Sequence, residues 1–312
     1  MNDIRIVKYD PAFKHRWDEF VENSKNGTFL FKRDYMDYHS DRFLDNSFMV
    51  YRNDKLYVLF PACKIGEILS SHAGLTYGGL IMNDKSTTQP ILDIFGLLLD
   101  RISSEGIKEF IYKPVPHIYH RQPAEEDLYA LFRFGAKLSV RNVSSTLTAI
   151  EPIKFSTLRR RIVKKADAAG VKVSFSEDLS AFWEILSENL SQKYNVLPVH
   201  SIKEILYLKS KFPQIKLLAA FKDNSMIGGV LCYVTDRVLH LQYISATPLG
   251  KELGAIDAII EHIINANFYG TQYLDFGISN EDRGRYLNEN LIHQKEGFGA
   301  RAICYDSYTI PL

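Results

Sequence analysis

Apolar and polar positions change period repeatedly along the chain, and the alternation of the two periods predicts an α/β protein. In the first half the pattern predicts an N-terminal strand, a helix near Phe13 to Asn23, and a hairpin. The hairpin runs from Phe48 to Tyr51, turns at Asn53-Asp54, and continues through Leu56 to Cys63. A single extended run from Glu67 to Met82 follows, then a helix from Gln89 to Ser104, a strand at Phe110 to Pro114, a helix near Ala124 to Phe132 and a strand from Ala136 to Ile150. A basic helix, Phe155 to Ala169, is closed by Gly170 and links to the second half. There the pattern predicts a strand at Val171 to Phe175, helices Leu179 to Tyr194 and Ser201 to Lys211, and a hairpin from Leu217 to Cys232 turning at Asp223-Asn224. A strand at Val238 to Ser245, a helix at Leu253 to Ala266, a strand at Tyr273 to Gly277, a helix around Tyr286 to Glu296 and a strand from Ala300 to Ile310 complete it. Strands alternating with helices, together with antiparallel hairpins, imply a mixed sheet in each half.

The two halves repeat one another. Gly106 precedes Glu109-Phe110-Ile111-Tyr112, with Phe134-Gly135-Ala136 following; Gly270 precedes Tyr273-Leu274-Asp275-Phe276, with Phe298-Gly299-Ala300 following. From Gly106 to Phe134 and from Gly270 to Phe298 the separation is the same 28 positions. A duplication at an offset of 164 follows, with domains expected at 1–152 and 153–312.

The length of 312 residues suits two domains, and the balance of 46% hydrophobic and 24% charged residues is that of a globular chain. A net charge of +1 gives no global reason to expect nucleic acid as main partner. Starting from Met1 there is no apolar stretch of the signal-peptide kind, and Ile91 to Leu99 is too short to span a bilayer. The expectation is a mature chain beginning at Met1 and residing in the cytoplasm. Cys63, Cys232 and Cys304 are widely spaced in apolar surroundings and read as buried free thiols. His117 and His120 lack the intervening glutamate of a metalloprotease motif, and Asp275-Phe276-Gly277 lacks the other elements of a kinase, so no metal is expected.

Candidate chemistry gathers in the second half. The turn Ser245-Ala246-Thr247-Pro248-Leu249-Gly250-Lys251-Glu252-Leu253-Gly254-Ala255 runs from a strand into a helix, whose first N–H groups can hold an anion. It resembles the pyrophosphate-binding turn of the GNAT acyltransferase superfamily through Lys251, Leu253, Gly254 and Ala255, with Ile256 where a second small residue is usual. The series Tyr273-Leu274-Asp275-Phe276-Gly277, Gly284, Asn288, Leu291 and Lys295-Glu296-Gly297-Phe298-Gly299-Ala300 is similar to the Fem-like, double-GNAT branch. That branch includes peptidoglycan-bridge aminoacyltransferases and acetyltransferase-like proteins of envelope polysaccharide pathways. The basic segment Arg160-Arg161-Ile162-Val163-Lys164-Lys165-Ala166 resembles it too.

The resemblance implies an α/β fold of two tandem GNAT-like domains and an N-acyltransferase, with acetyl-CoA as donor and Thr247, Lys251, Leu253, Gly254 and Ala255 as its binding residues. The reaction implied is attack of an acceptor amine on the donor carbonyl. Lys295 is the expected oxyanion stabiliser, Asp275 the proton acceptor or orienter of the amine, and Asn288 a positioning donor. At the repeat offset Asp275, Asn288 and Lys295 fall opposite Ile111, Ala124 and Leu131, so the second copy is expected to hold the transfer centre and the first to build the acceptor cleft. In that cleft His72 and Tyr77 of the Ser70 to Gly79 stretch, with Arg160 and Arg161 facing substrate phosphates, are the expected contacts. The acceptor implied is an amine on a carbohydrate or envelope precursor, an amino sugar in nucleotide-linked or lipid-linked form, and a monomer is compatible with two copies in one chain. Two alternatives stand beside this. One is aminoacyl transfer from tRNA, against which the short segment Leu179 to Pro213 offers no coiled-coil arm. The other is a non-catalytic binding protein that keeps the fold, which the incomplete glycine turn allows.

Overall fold

The computed structural model describes residues 3–312, and Met1 and Asn2, where the chain's expected start was read, lie outside them. Two compact units divide the chain: residues 1–142, 280–286 and 304–312, and residues 143–279 and 287–303.

In the first unit, strands Ile4–Lys8, Phe48–Arg52, Lys55–Phe60 and Ile81–Met82 form one sheet. A second layer pairs Leu44–Asp45 with Cys63–Ile65, Cys63–Ile65 with Ile68–Ser70, Ile68–Ser70 with Glu109–Tyr112, and Glu109–Tyr112 with the end of Arg301–Pro311. Helices Thr88–Ser104 and Glu126–Arg133 supply Phe95, Leu98, Ala130 and Leu131 to a core that includes Phe48, Phe60, Phe110 and Tyr112. The single extended run expected from Glu67 to Met82 is instead two short strands in different layers. Between them the chain folds back. His72 and Gly79 have positive φ, Ser71 Oγ accepts from Lys113 N at 2.7 Å, and Gly78 N donates to Lys113 O at 2.8 Å. A Cβ at Gly78 would lie 1.9 Å from Ser71 O, so only glycine permits that approach.

In the second unit the strand order is Lys172–Ser176, Ile215–Lys222, Ser225–Val234, Val238–Ala246, Tyr273–Ile278 and then the Val143–Thr148 part of Lys137–Thr148. All neighbours are antiparallel except Val238–Ala246 against Tyr273–Ile278, which run parallel and are joined through the helix Ala255–Asn265. Helices Thr157–Ala168 and Ala255–Asn265 cover one face, burying Ala166, Ile259, Ile260 and Ile263 against Leu218, Val230, Leu239 and Leu241. The helix Leu179–Tyr194 covers the other, where Phe182 packs so closely that a Cβ on Gly229 would sit 2.6 Å from its ring.

The repeat seen in the sequence recurs as backbone geometry. Asn53-Asp54 and Asp223-Asn224 all have positive φ, the signature of the tight hairpin turn. Gly106 and Gly270, and likewise Gly135 and Gly299, are left-handed in both copies. The thiol expectation holds for Cys63 and Cys232, which are buried, and fails for Cys304, which is exposed: it stands on the outward side of a strand whose next residue, Tyr305, points inward.

Candidate functional site

Strands Val238–Ala246 and Tyr273–Ile278 are paired only at Val238 with Tyr273, Leu239 with Leu274, and His240 with Asp275. Beyond that point they diverge. Two irregularities open the sheet there: an extra residue, Gln242, sits between the Leu241 and Tyr243 pairings with Ser225–Val234, and the register of Tyr273–Ile278 shifts between Asp275 and Ile278. The gap is a cavity of 710 Å³ within the second unit, in the size range of small-molecule sites. Leu186, Leu190, Ile244, Ile256, Phe276 and Phe298 supply its apolar wall. Lys193, Lys251 and Lys295 bring three amines to it, and among the described residues no carboxylate lines it.

Lys295 comes from the helix Glu289–Gly297 and is only 5% exposed. Its Nζ donates to Gly277 O and Ile278 O, both at 2.8 Å, and to Ser279 Oγ at 2.9 Å. Three acceptors match the three protons of an ammonium group. Burial pushes its pKa down to about 8, partly opposed by Asp275, so the charge is retained at neutral pH. In the first copy the matching position is the buried Leu131, a contrast that packing alone does not explain.

Asp275 is fully buried. It accepts from Ser144 Oγ, from Thr146 Oγ1 at 3.0 Å and from Gly277 N at 3.4 Å, and its other oxygen lies 2.8 Å from His240 Nδ1. Asn288 caps the helix Glu289–Gly297, its side chain accepting from Leu291 N at 3.1 Å while its own N–H donates to Ser279 O at 2.9 Å. Lys295, Asp275 and Asn288 are thus all tied to the end of strand Tyr273–Ile278 and its exit.

The glycine turn differs from the single helix expected over Leu253 to Ala266. Pro248–Leu253 is a short helix capped by Thr247, whose Oγ1 accepts from Gly250 N at 3.0 Å. Gly254, at φ +82°, ends it and begins Ala255–Asn265. The position requires glycine: besides the positive φ, a Cβ on Gly254 would lie 2.4 Å from Ile162 Cγ2 of the basic helix. Lys165 donates to Glu252 O at 2.7 Å, and Arg159 pairs with Asp257 of the helix's first turn at 3.0 Å. Lys251 points toward the cavity and donates to Asn189 Oδ1; Asn189 Nδ2 in turn donates to Ser245 Oγ and Ala246 O, each at 2.9 Å. Leu253 is half-buried and Ala255 is buried against the sheet.

Arg160 and Arg161 are exposed, and Arg160 donates to Thr157 Oγ1 on its own helix. His72 and Tyr77 belong to the first unit and are 2% and 3% exposed. The Tyr77 hydroxyl donates to Thr28 Oγ1 at 3.1 Å, and burial next to His39 and Lys113 drives the His72 pKa down to about 3, leaving a neutral ring. Sequence reasoning missed His240, Asn189 and Lys193. His240 reads as an ordinary polar position in an alternating strand, and its partner lies 35 residues away across a parallel crossover.

No family model matches the chain, and no curated protein matches it. Solved structures do. FemX aligns with a TM-score of 0.71 at 11% identity, covering 99% of this chain and 97% of that one. L-PGS from Bacillus licheniformis aligns at 0.64 and 13%, covering 96% and 92%. A tandem GNAT protein from the clavulanic acid biosynthesis pathway aligns at 0.52 and 10%, covering 99% and 98%. Mixed sheets, two repeated units and these alignments over nearly the whole chain give it the tandem GNAT fold of the Fem-like kind, an acyltransferase-type fold.

Proposed function

We propose that the second unit is an N-acyltransferase that moves an acetyl group from acetyl-CoA to an amine on a carbohydrate or cell-envelope precursor. The observation that carries this reading is the cavity opened by the diverging strands, apolar along its walls and lined by three lysines. An acyl-thioester arm is uncharged and narrow, and matches the apolar part; the phosphates of its carrier match Lys251 and Lys193 at the exposed rim. The turn residues Thr247, Leu253, Gly254 and Ala255 set the direction of Lys251 and of the first N–H groups of Ala255–Asn265. An aminoacyl donor carries an α-ammonium group, which a cavity with three lysines and, among the described residues, no carboxylate repels; this favours a simple acyl donor over aminoacyl-tRNA. Lys295 acts as a fixed positive charge at the inner end, because its three N–H groups are already committed. The acceptor class follows the Fem-like likeness of the second half.

The test is turnover. Purified protein is incubated with acetyl-CoA and a panel of amino sugars, free and nucleotide-linked, and loss of the thioester absorbance is followed. Acceptor-dependent loss of thioester is expected with at least one amine. Binding of acetyl-CoA with no acceptor-dependent turnover across the panel would instead favour a non-catalytic binding role.

A further inference from the structure

We propose that His240 is the proton acceptor for the incoming amine and that Asp275 is its positioning residue; this rests on the acyltransferase reading above. Both side chains leave the same face of the sheet at the last paired position before the strands diverge. His240 Nδ1 lies 2.8 Å from Asp275 Oδ2, while Ser144 Oγ, Thr146 Oγ1 and Gly277 N donate to the other carboxylate oxygen. A carboxylate surrounded by donors accepts only, so the proton between the pair sits on Nδ1 and the lone pair is left on Nε2. Nε2 has no hydrogen-bond partner among the described residues, and the ring keeps 13% exposure where Asp275 has none. Direct contact of Asp275 with an acceptor is thereby closed off.

Neither side chain lines the cavity; the pair stands one residue behind its wall, linked to it through Gly277. A Cβ on Gly277 would stand 3.3 Å from His240 Cε1, and the carbonyl of that same glycine accepts from Lys295, which lines the cavity. Gly277, at φ +75°, lets the ring lie against the backbone at this point. In the step itself the amine nitrogen bonds to the donor carbonyl carbon, the carbon–sulfur bond breaks, and the amine proton passes to His240 Nε2. From there it goes to the departing thiolate, so that amide and thiol leave and His240 returns neutral. The other ionisable groups facing His240 are Asp275 on one neighbouring strand, Tyr233 on the other, and Lys295 behind Gly277.

The experiment combines two readouts on the full chain. Long-range nitrogen–proton NMR of the imidazoles, with H240Q to assign the signal, reads the tautomer in wild type and in D275N. Turnover of acetyl-CoA with glucosamine is measured against pH for the same proteins, and acetyl-CoA binding by calorimetry. We expect the Nδ1–H tautomer in wild type and a mixed or reversed tautomer in D275N. H240Q should bind acetyl-CoA as wild type does, lose at least about a hundredfold in turnover, and lose the acidic limb of the pH profile. D275N should lose about tenfold to a hundredfold. An Nε2–H tautomer in wild type, or H240Q turnover within threefold of wild type, overturns the proposal. If wild type binds no acetyl-CoA, the donor reading fails by itself, and the tautomer still decides for or against the pair.

Discussion

Replacing Lys295 by Met removes a buried charge and leaves two carbonyls and a hydroxyl that had received its protons. At pH 7 two opposing effects act: unpaired buried acceptors cost about 1–3 kcal/mol each, whereas relief of the desolvated ammonium returns about 3 kcal/mol. With three acceptors stranded, the net effect at pH 7 is a loss of up to about 6 kcal/mol, and its dependence on pH follows from the amine alone. The Lys295 amine has its pKa lowered from 10.5 to about 8 in the folded chain. A lowered amine favours the unfolded chain; this cost is fully present below about pH 8 and is relieved as pH rises from there toward 10.5, where only the unfolded chain still holds the proton. Wild type therefore gains about 2 kcal/mol from this residue between pH 7 and pH 9.5, and Lys295→Met gains nothing from it. The half-buried Lys113, also lowered to about 8 by desolvation, contributes equally to both proteins and cancels. Urea unfolding followed through Trp183, the buried tryptophan of the second unit, measures both proteins at both pH values. The destabilisation by Lys295→Met should be larger at pH 9.5 by about 2 kcal/mol. A difference that stays constant within about 0.5 kcal/mol would refute the argument that burial sets the charge of Lys295.

Three further outcomes follow from the same geometry. Gly254→Ala places a side chain at φ +82° against Ile162 and should cost about 2 kcal/mol in urea unfolding, with a favourable coupling to Ile162→Ala in a double-mutant cycle; additive effects would argue against that contact. Arg159→Ala strands the buried Asp257 carboxylate and should cost about 3 kcal/mol, with part recovered in Arg159→Ala/Asp257→Asn; equal losses in the single and double variants would contradict the pairing. A thiol reagent should modify one cysteine, Cys304, in the folded protein and all three after unfolding, by mass; labelling of Cys63 or Cys232 in the folded chain would be inconsistent with their burial.

Much of the fold was legible because it is written in local chemistry. Asn-Asp and Asp-Asn pairs reach positive φ at low cost, which made both hairpins readable, and the repeated glycines are left-handed in both copies. Long-range choices were not legible. The stretch Glu67 to Met82 looks like one strand, yet Ser71 and Gly78 are captured by Lys113, far along the chain, and the strand divides between layers. Gly254 looks like a first-turn residue, yet it takes φ +82° between two helices, close against Ile162 of the basic helix, a contact made far from it in the chain. At the site, Asp275 and Lys295 stood out because their repeat partners Ile111 and Leu131 are apolar. His240 had no such contrast, since pairing with Asp275 depends on the register of two parallel strands that local sequence does not encode.

The most direct test of the central claim is calorimetric titration of acetyl-CoA into wild type, Lys251→Glu and Leu190→Trp. The first variant reverses a charge at the cavity rim, and the second fills the apolar wall. Saturable binding by wild type that both variants abolish is the result the account predicts. No binding at millimolar ligand, or binding that neither variant disturbs, would contradict it.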